Sequence, residues 1–342
     1  MRLAVDVMGG DNAPDAILKG CVEALDVLSD DDELVLIGDE SLIREHLAER
    51  GISDPRLTVL HAPDSIPMDE APTRAVRQRT ESSIVKMALL GSKKADNPAD
   101  VVISAGNTGA CVAAGIMHMK RLPGVHRPGI AVTIPAFHGP IVLCDAGANP
   151  EPRGTHLWQY GVMADVLAKE VLGIESPRVA LMNIGSEEAK GSDLVKSARD
   201  LLRATPGLNF IGFVEGRDFF AGAADVIITD GFVGNTVLKM AEGMAKSLFE
   251  AIAQEIFELD PNLAIQFEPV VKQIYTKNDY HEYGGAPLLG VNGAMIIAHG
   301  SSEARTIRAA IRNAREFVAH DVNAQITRRL AEVQSVCVPS GG

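Results

Sequence analysis

Short apolar runs rich in β-branched residues recur along the chain, and each predicts a buried β-strand. Amphipathic runs of roughly 10 to 20 residues separate most of them, a length and pattern typical of helices. Strands that alternate with helices indicate βαβ units around a mostly parallel sheet. The predicted strands are Leu3–Val7, Leu34–Ile37, Leu57–Leu60, Val101–Ser104, Val179–Asn183, Phe210–Phe213 and Val226–Thr229.

Two segments depart from this alternation. Ile130–Ile134 and Ile141–Cys144, joined through "PAFHGP", predict a β-hairpin. Further along, a helical apolar stripe from Met244 to Phe257 is broken by "LDPN", and a second apolar stretch runs from Leu263 to Tyr275. No long polar linker divides the chain. We therefore predict a single α/β domain over residues 1–342, with a helical hairpin at 244–275 and the option of a sub-domain around the β-hairpin.

Composition narrows the class of protein. The chain of 342 residues is 46% hydrophobic, which is enough to bury a large core. Its net charge of -13 argues against a nucleic-acid partner, because phosphate backbones need a basic face. The 4 cysteines are scattered without a CxxC pair, which indicates a reduced protein. The N-terminus lacks a secretory layout and no apolar run reaches about 18 residues, so we predict a cytoplasmic protein.

Glycine-rich polar loops follow most predicted strands. They read "MGGDNAP", "AGNTGA", "CDAGAN", "NIGSEEAKG" and "DGFVGN", and "YGGAPLLG" and "HGSS" lie near the C-terminus. Glycine lets backbone N–H groups approach an anion, and helix N-termini add partial positive charge. Any one loop is explained as well by a turn and a helix cap. Their repetition at strand ends, on one predicted edge of the sheet, favours an anion-binding cleft.

Familiar catalytic motifs are missing from the sequence. We find no GxGxxG, GxxxxGK[ST], GxSxG or HExxH pattern, so no dinucleotide, nucleoside triphosphate, hydrolase elbow or zinc site is indicated. Cys111 and Cys144 lie near loops, but free cysteines are usually inert packing residues. The sequence therefore offers anion-binding loops and one loop lysine but no obvious side-chain nucleophile. This combination suits a reaction in which one of the substrates is the nucleophile.

Six motifs in order resemble one family. "DVMGGDNAPD", "SAGNTGA", "NIGSEEAKGSDLVK", "DGFVGNTVLK", "EYGGAPLLGVNG" and "AHGSSEA" are similar to the bacterial phosphate acyltransferases of phospholipid synthesis, the PlsX family. The resemblance runs from Arg2 to about Val318. It implies transfer of a fatty acyl group from acyl carrier protein to inorganic phosphate, giving acyl-phosphate. It also implies a homodimer and a three-layer α/β/α fold like phosphotransacetylase and isopropylmalate dehydrogenase.

The loops and the resemblance together give the candidate site residues. We predict that Lys190, Asn235 and Asn107 are catalytic, with a solvated lysine and N-capping asparagines as the alternatives. No cofactor is expected, and a metal held near Asp6 and Asp11 is unsupported. The predicted substrate-binding residues are Gly9, Gly10, Asp11, Asn12, Ser104, Gly106, Thr108, Gly109, Gly185 and Gly234. Asp6 and Asp11 would repel phosphate, so we expect them to cap backbone amides or to orient Lys190.

A local basic segment offers a docking surface for the acidic carrier protein. Residues 72–94 include Arg74, Arg77, Arg79 and Lys86, followed by Lys93 and Lys94, against only Glu81. The alternative is an ordinary solvated helix face. We predict that the four residues from Arg74 to Lys86 dock acyl carrier protein.

The helical hairpin has two interpretations. An apolar stripe usually packs against the body of a protein or a dimer partner. The resemblance implies that the hairpin builds the dimer and that its tip, around Phe257, Leu259, Leu263 and Ile265, touches the inner face of the membrane. There the membrane glycerol-3-phosphate acyltransferase that consumes acyl-phosphate is a candidate partner.

Two rival functions remain open at this point. One is a metal-dependent 2-hydroxyacid dehydrogenase on the related fold, although neither a nicotinamide site nor a carboxylate cluster is visible. The other is a non-catalytic scaffold of lipid synthesis that only docks the carrier protein.

Overall fold

Every apolar run predicted as a strand lies in one large sheet. The computed structural model describes residues 1–136, 138–277 and 283–337, with side chains except at 275–277 and 334–337. The strands are β1 Arg2–Asp6, β2 Glu33–Gly38, β3 Leu57–His61, β4 Val101–Ser104, β5 Gly129–Ile134, β6 Ile141–Cys144, β7 Val179–Met182, β8 Phe210–Val214, β9 Val226–Ile228, β10 Ala286–Leu289 and β11 Ala294–Ile297.

The sheet is mostly parallel, as predicted. In the described part of the chain its order is β3-β2-β1-β4-β11-β10-β5-β6-β9-β7-β8. β10 runs antiparallel to β11 and β5, and β5 runs antiparallel to β6, which confirms the predicted β-hairpin. The other pairs are parallel.

The antiparallel strands overturn one expectation. They divide the sheet into two parallel groups that run in opposite senses, one ending with β11 and the other beginning with β6. The prediction that all the glycine loops lie on one edge of the sheet is therefore wrong. Each strand is also rotated by roughly 20–25° relative to its neighbour, so the strands of one group point in directions well away from those of the other.

Helices cover both faces of the sheet. One face carries α1, α2, α6, α7, α10 and α11 over the larger apolar core, and the other carries α3, α4, α5 and the start of α8. The predicted three-layer α/β/α architecture is confirmed. The helices are α1 Asp15–Glu23, α2 Glu40–Glu49, α3 Pro72–Gln78, α4 Ser83–Leu90, α5 Thr108–Ala114, α6 Gly154–Glu170, α7 Asp193–Ala204, α8 Gly231–Leu259, α9 Pro261–Lys277, α10 Ala304–Ala319 and α11 Val322–Cys337.

The helical hairpin is formed by α8 and α9, and its first helix starts earlier than predicted. The break falls at Asp260, directly before Pro261, which has no amide hydrogen to continue the first helix. Only Gly231 and Gly234 of α8 are buried, so α8 leaves the body of the protein soon after its first turns.

The predicted tip of this hairpin is apolar and exposed. Phe257, Leu259 and Ile265 are 56%, 79% and 69% exposed, whereas Leu263 is half-buried. None of the helices in the described ranges is both long enough and apolar enough to cross a bilayer.

Candidate active site

The loops after β1 and β4 meet through two glycines. A Cβ at Gly9 would lie 2.7 Å from the amide nitrogen of Gly106, so neither loop tolerates a side chain at this contact. Behind them, the buried Asp6 carboxylate accepts a hydrogen bond from Ser104 Oγ at 2.8 Å and another from the Met8 amide at 3.0 Å. Burial raises the pKa of Asp6, against the effect of these hydrogen bonds. Asp6 therefore caps an amide, as expected.

The first loop is also tied to the loop that follows β11. Gly10 adopts a φ of 111°, a conformation that favours glycine. The next residue, Asp11, donates its amide to the carbonyl oxygen of Gly300 at 2.7 Å, and Asn12 Nδ2 donates to the Ser301 carbonyl at 3.2 Å. These bonds hold the Met8–Pro14 segment in place and leave the Asp11 side chain exposed.

Asn107 has a complete set of partners within the protein. Its Oδ1 accepts from the Ala110 amide at 3.0 Å, which caps α5. Its Nδ2 donates to the carbonyl oxygens of Pro67, Met68 and Glu70, each at 3.1 Å. The capping alternative is thus observed for Asn107, and its amide positions the segment at 67–70. A direct contact with substrate stays a prediction.

Asn235 differs, because another residue caps its helix. Asp230 Oδ1 accepts from the Val233 amide at 2.9 Å, so capping does not explain Asn235. A Cβ at Gly234 would overlap the carbonyl oxygen of Asp145, and this close approach seats the first turn of α8 on the end of β6. The Asn235 side chain is exposed, and within the described residues it has no hydrogen-bond partner.

A cavity of about 390 Å³, here called the central cavity, lies between these loops and the start of α8. Its apolar lining includes Ile130 and Val132 of β5 and Leu238 of α8. Its polar lining includes Asp11, Thr108, Asn235, Lys239, Glu242 and His299, together with Thr133, Tyr283 and Thr306. Loops from both parallel groups of the sheet therefore converge on one cavity, whose lining combines apolar and polar side chains.

The structure brings three predicted site residues to the central cavity, namely Asp11, Thr108 and Asn235. The remaining predicted residues lie outside its lining, and some of them allow close packing between neighbouring elements. A Cβ at Gly109, for example, would lie 2.5 Å from Pro72 Cγ, so this glycine lets α5 pack against α3. The residues outside the lining are Gly9, Gly10, Asn12, Ser104, Gly106, Asn107, Gly109, Gly185, Lys190 and Gly234.

Lys190 lies in a compact loop and is not among the residues that line the central cavity. Its Nζ pairs with Glu187 Oε1 at 2.7 Å and its side chain is 48% exposed. This ammonium lowers the pKa of Glu187 through a hydrogen bond. Asn183 Nδ2 donates to the Gly185 carbonyl at 3.0 Å, and Gly191 has a φ of 96°. The catalytic assignment of Lys190 stays a prediction.

Lys239, Glu242 and His299 were not predicted, although they line the central cavity. Lys239 follows Asn235 by four residues in α8, and this spacing places the side chains of Lys239 and Asn235 on the same face of the helix. The spacing is the feature of the sequence that could have identified Lys239 as a site residue. One Glu242 carboxylate oxygen is buried without a hydrogen-bond partner in the described part of the chain, so a donor on a ligand would satisfy it.

The predicted basic surface on α3 and α4 is partly neutralised. Arg79 pairs with Asp64 at 3.0 Å and with Glu70 at 2.7 Å, two acids that the sequence count from 72 to 94 did not include. Arg74 and Arg77 are exposed.

Lys86, the fourth predicted docking residue, is also engaged. It pairs with Glu81 at 2.8 Å and donates to the carbonyl of His61 at 2.8 Å. Arg74 and Arg77 therefore carry the accessible positive charge among the four.

The cysteines behave as predicted packing residues. Cys111 and Cys144 are fully buried. Burial raises the pKa of the Cys111 thiol to about 12, so it is protonated at neutral pH and is not a nucleophile.

Comparison with known proteins identifies the family of this chain. A family model described as "Fatty acid synthesis protein" matches residues 1–325. The chain is 44% identical over 335 residues to the phosphate acyltransferase of Bacillus licheniformis, covering 97% of this chain and 99% of the relative. It is 42% identical to the phosphate acyltransferase of Bacillus subtilis, covering 97% and 98%.

Solved structures share the fold at low sequence identity. A phosphotransacetylase from Streptococcus pyogenes superposes with a TM-score of 0.59 at 16% identity, covering 93% of this chain and 94% of its own. The EutD phosphotransacetylase from Staphylococcus aureus gives 0.57 at 14% identity, covering 94% of each chain. These likenesses establish the phosphotransacetylase-like fold. Together with the sequence matches, they show that the chain is an acyltransferase that belongs to the fatty acid synthesis protein family, the family of the bacterial phosphate acyltransferases of phospholipid synthesis.

Proposed function

We propose that this enzyme transfers a fatty acyl group from acyl carrier protein to inorganic phosphate and releases acyl-phosphate. The observation that carries the proposal is the mixed apolar and polar lining of the central cavity. Ile130, Val132 and Leu238 suit an alkyl chain, while Asn235 and Lys239 suit the phosphate end. An acyl-phosphate has the same division between an apolar and an anionic part.

The chemistry needs no nucleophile from the protein. A phosphate oxygen attacks the thioester carbonyl carbon, a C–O bond forms, and the carbonyl oxygen becomes an oxyanion. When the tetrahedral intermediate collapses, the C–S bond breaks and the carrier thiolate leaves, later taking up a proton. Because a thiol has a pKa near 8.5, its thiolate leaves with little acid assistance.

The protein's part is therefore to position phosphate and to stabilise negative charge. Lys239 supplies a positive charge in a lining that also holds the acids Asp11 and Glu242, and Asn235, one helical turn before it, offers an amide donor. Lys190 stays a proposed stabiliser of the oxyanion because of its place in the glycine loop after β7, although it is outside the cavity lining. Asn107 acts as a positioning residue through the segment at 67–70.

The proposal extends to partners. Acyl carrier protein docks on Arg74 and Arg77, and two copies of the chain form a homodimer through α8 and α9, whose exposed apolar residues contribute to that interface. The enzyme works in the cytoplasm, with the hairpin tip at the inner face of the membrane. Acyl-phosphate then passes to the membrane glycerol-3-phosphate acyltransferase.

The test is an assay with purified protein, acyl-acyl carrier protein and phosphate alone. We expect acyl-phosphate, trapped as an acyl hydroxamate, in equal amount to the free carrier thiol. Neither product should form without phosphate. Thiol release that does not depend on phosphate would indicate a thioesterase, and no product at all would favour the scaffold.

The dehydrogenase alternative is tested in the same preparation. Addition of a nicotinamide dinucleotide with Mg²⁺ is expected to leave the thermal midpoint unchanged. A rise in the midpoint would count in favour of that alternative.

A further inference from the structure

A second cavity of about 390 Å³, here called the rear cavity, lies between α6 and α10. Most of its wall is aliphatic or aromatic. Leu167 and Val171 come from α6, Ala314 and Phe317 from α10, and Ile296 from β11. Such a mostly apolar wall offers few polar groups to an anion, so it does not suit phosphate.

The rear cavity lies across the sheet from the central cavity. Successive residues of a strand point to opposite faces. On β10, Ala286 lines the central cavity and Pro287 lines the rear one, and on β11 Ile297 lines the central cavity and Ile296 the rear one. The two cavities are thus separated by the sheet over most of their extent.

They meet where β10 begins. Thr133, Tyr283 and Gly285 line both cavities. Gly285 immediately precedes β10, so at this point there is no further residue of that strand between the two faces. The two cavities therefore adjoin at the start of β10.

The backbone at this junction is held by close packing. A Cβ at Gly284 would overlap the amide nitrogen of Ala310, and a Cβ at Gly285 would lie 2.7 Å from Ile296 Cγ2. The Tyr283 carbonyl accepts a hydrogen bond from Asn313 Nδ2 at 2.8 Å. The two glycines let this segment lie directly on α10 and β11, which fixes the position of Tyr283 at the passage.

We propose that the rear cavity holds the distal part of the substrate's acyl chain. The thioester carbon lies in the central cavity beside Asn235 and Lys239. The chain passes between Thr133 and Gly285 and continues between α6 and α10. From Ala310 to Phe317 α10 rises by about 10 Å, so the rear cavity sets how long a chain is accepted. This assignment rests on the acyl transfer proposed above.

The direct test fills the rear cavity and compares a long and a short acyl chain. In Ala314→Leu, kcat/KM for hexadecanoyl-carrier protein should fall by about tenfold or more, since a pocket discriminates methylene by methylene. The butanoyl substrate is too short to reach α10, so its kcat/KM should stay within about twofold of the parent value. Ala314→Val, with less added volume, gives a smaller loss in the same direction if the leucine variant fails to fold.

Ala309→Leu is the matched control. Ala309 lies on the same helix and is also buried, but it lines a groove shared with Val22 and Arg308. This variant should leave the ratio of long-chain to short-chain kcat/KM unchanged. An equal loss for both chains in Ala314→Leu, or the same selective loss in Ala309→Leu, would overturn the assignment.

A binding measurement separates this inference from the proposed function. Hexadecanoate should displace a fluorescent long-chain fatty acid from the unmodified enzyme, and Ala314→Leu should weaken that displacement by about tenfold. If no acyl-phosphate forms with either chain length, only the proposed function is contradicted. If hexadecanoate binds Ala314→Leu as it binds the unmodified enzyme, only the assignment of the rear cavity is contradicted.

Discussion

At the scale of single residues, two asparagines in similar sequence settings have different environments. Asn107 is only 6% exposed and its amide group is engaged by α5 and by the segment at 67–70. Asn235 is exposed on the second turn of α8, where Asp230 already caps the helix. Asn235 is therefore the better placed of the two to contact a ligand.

The two candidate lysines give a prediction that distinguishes their roles. Lys190→Ala should cut acyl-phosphate formation by about 100-fold, the usual effect of losing one group that stabilises a transition-state oxyanion. Lys239→Ala should instead raise the phosphate KM by about tenfold, because Lys239 lines the central cavity and attracts the ground-state anion as well. Steady-state kinetics with varied phosphate measure both effects.

Lys246→Ala is the control for these variants. Lys246 lies on the same helix as Lys239, is exposed, and is absent from the central cavity lining. Its kinetics should match those of the unmodified enzyme. Near-normal turnover in Lys190→Ala, together with a large loss in Lys239→Ala, would move the catalytic role from Lys190 to Lys239.

At the scale of elements, α3 and α4 show how folding redistributes charge. Arg79 is paired with Asp64 and Glu70, so it anchors α3 to a neighbouring segment. A surface ion pair contributes little to stability, about 0 to 1 kcal/mol, but it removes that guanidinium from long-range attraction. The exposed charges of Arg74 and Arg77 remain for a partner.

Charge reversal tests whether these two arginines dock the carrier protein. The double variant Arg74→Glu and Arg77→Glu should raise KM for acyl-acyl carrier protein by about tenfold and flatten its dependence on salt, because electrostatic steering is lost. The phosphate KM should not change. Lys19→Glu with Arg328→Glu makes the same change of net charge on α1 and α11, which cover the opposite face of the sheet. An unchanged salt dependence in the first variant would place docking elsewhere.

At the scale of the whole molecule, Asp32 joins distant parts of the chain. Its buried carboxylate accepts from the Met1 amino group at 2.8 Å, the Ser29 amide at 2.8 Å and Arg315 Nη1 at 2.7 Å. Burial acts to raise the pKa of Asp32, but the bonds with Met1 and Ser29 and the charge of Arg315 outweigh it and lower the pKa to about 2.

The lowered pKa predicts an acid-dependent loss of stability. An unfolded aspartate has a pKa near 3.9, so the stabilisation is complete above about pH 4 and is lost as the pH falls towards 2. Asp32→Asn should lower the free energy of unfolding by about 2 kcal/mol at pH 7, and this difference should shrink below pH 4. Denaturant titrations at pH 7 and below pH 4 measure this difference in unfolding free energy. Asp31→Asn, at the exposed neighbouring position, is the control. If the difference between Asp32→Asn and the unmodified enzyme does not change with pH, the loss is due to packing.

Much of the fold follows from local pattern. Buried β-branched runs such as Val101–Ser104 favour a central strand, and "LDPN" ends α8 because Pro261 lacks an amide hydrogen. β10 and β11 were not predicted. In β10 the pattern of a strand is obscured by Pro287 and by the glycines that flank it. Their identity as strands depends on neighbours that are distant in sequence, Ile130 for β10 and Val101 for β11.

The family, the strand–helix alternation and the glycine loops were all determined by the sequence alone, because each resides in contiguous residues. Only the tertiary structure decided which loops form a site. The antiparallel pairs β11–β10, β10–β5 and β5–β6 set the two parallel groups of the sheet in opposite senses. Asp11, Thr108 and Asn235, from loops and helices of both groups, reach one cavity, while Lys190 stays outside its lining. Pairing across the sheet also opened the rear cavity behind Thr133 and Gly285. Contacts of this kind depend on the three-dimensional meeting of segments far apart in the chain, which no local pattern encodes.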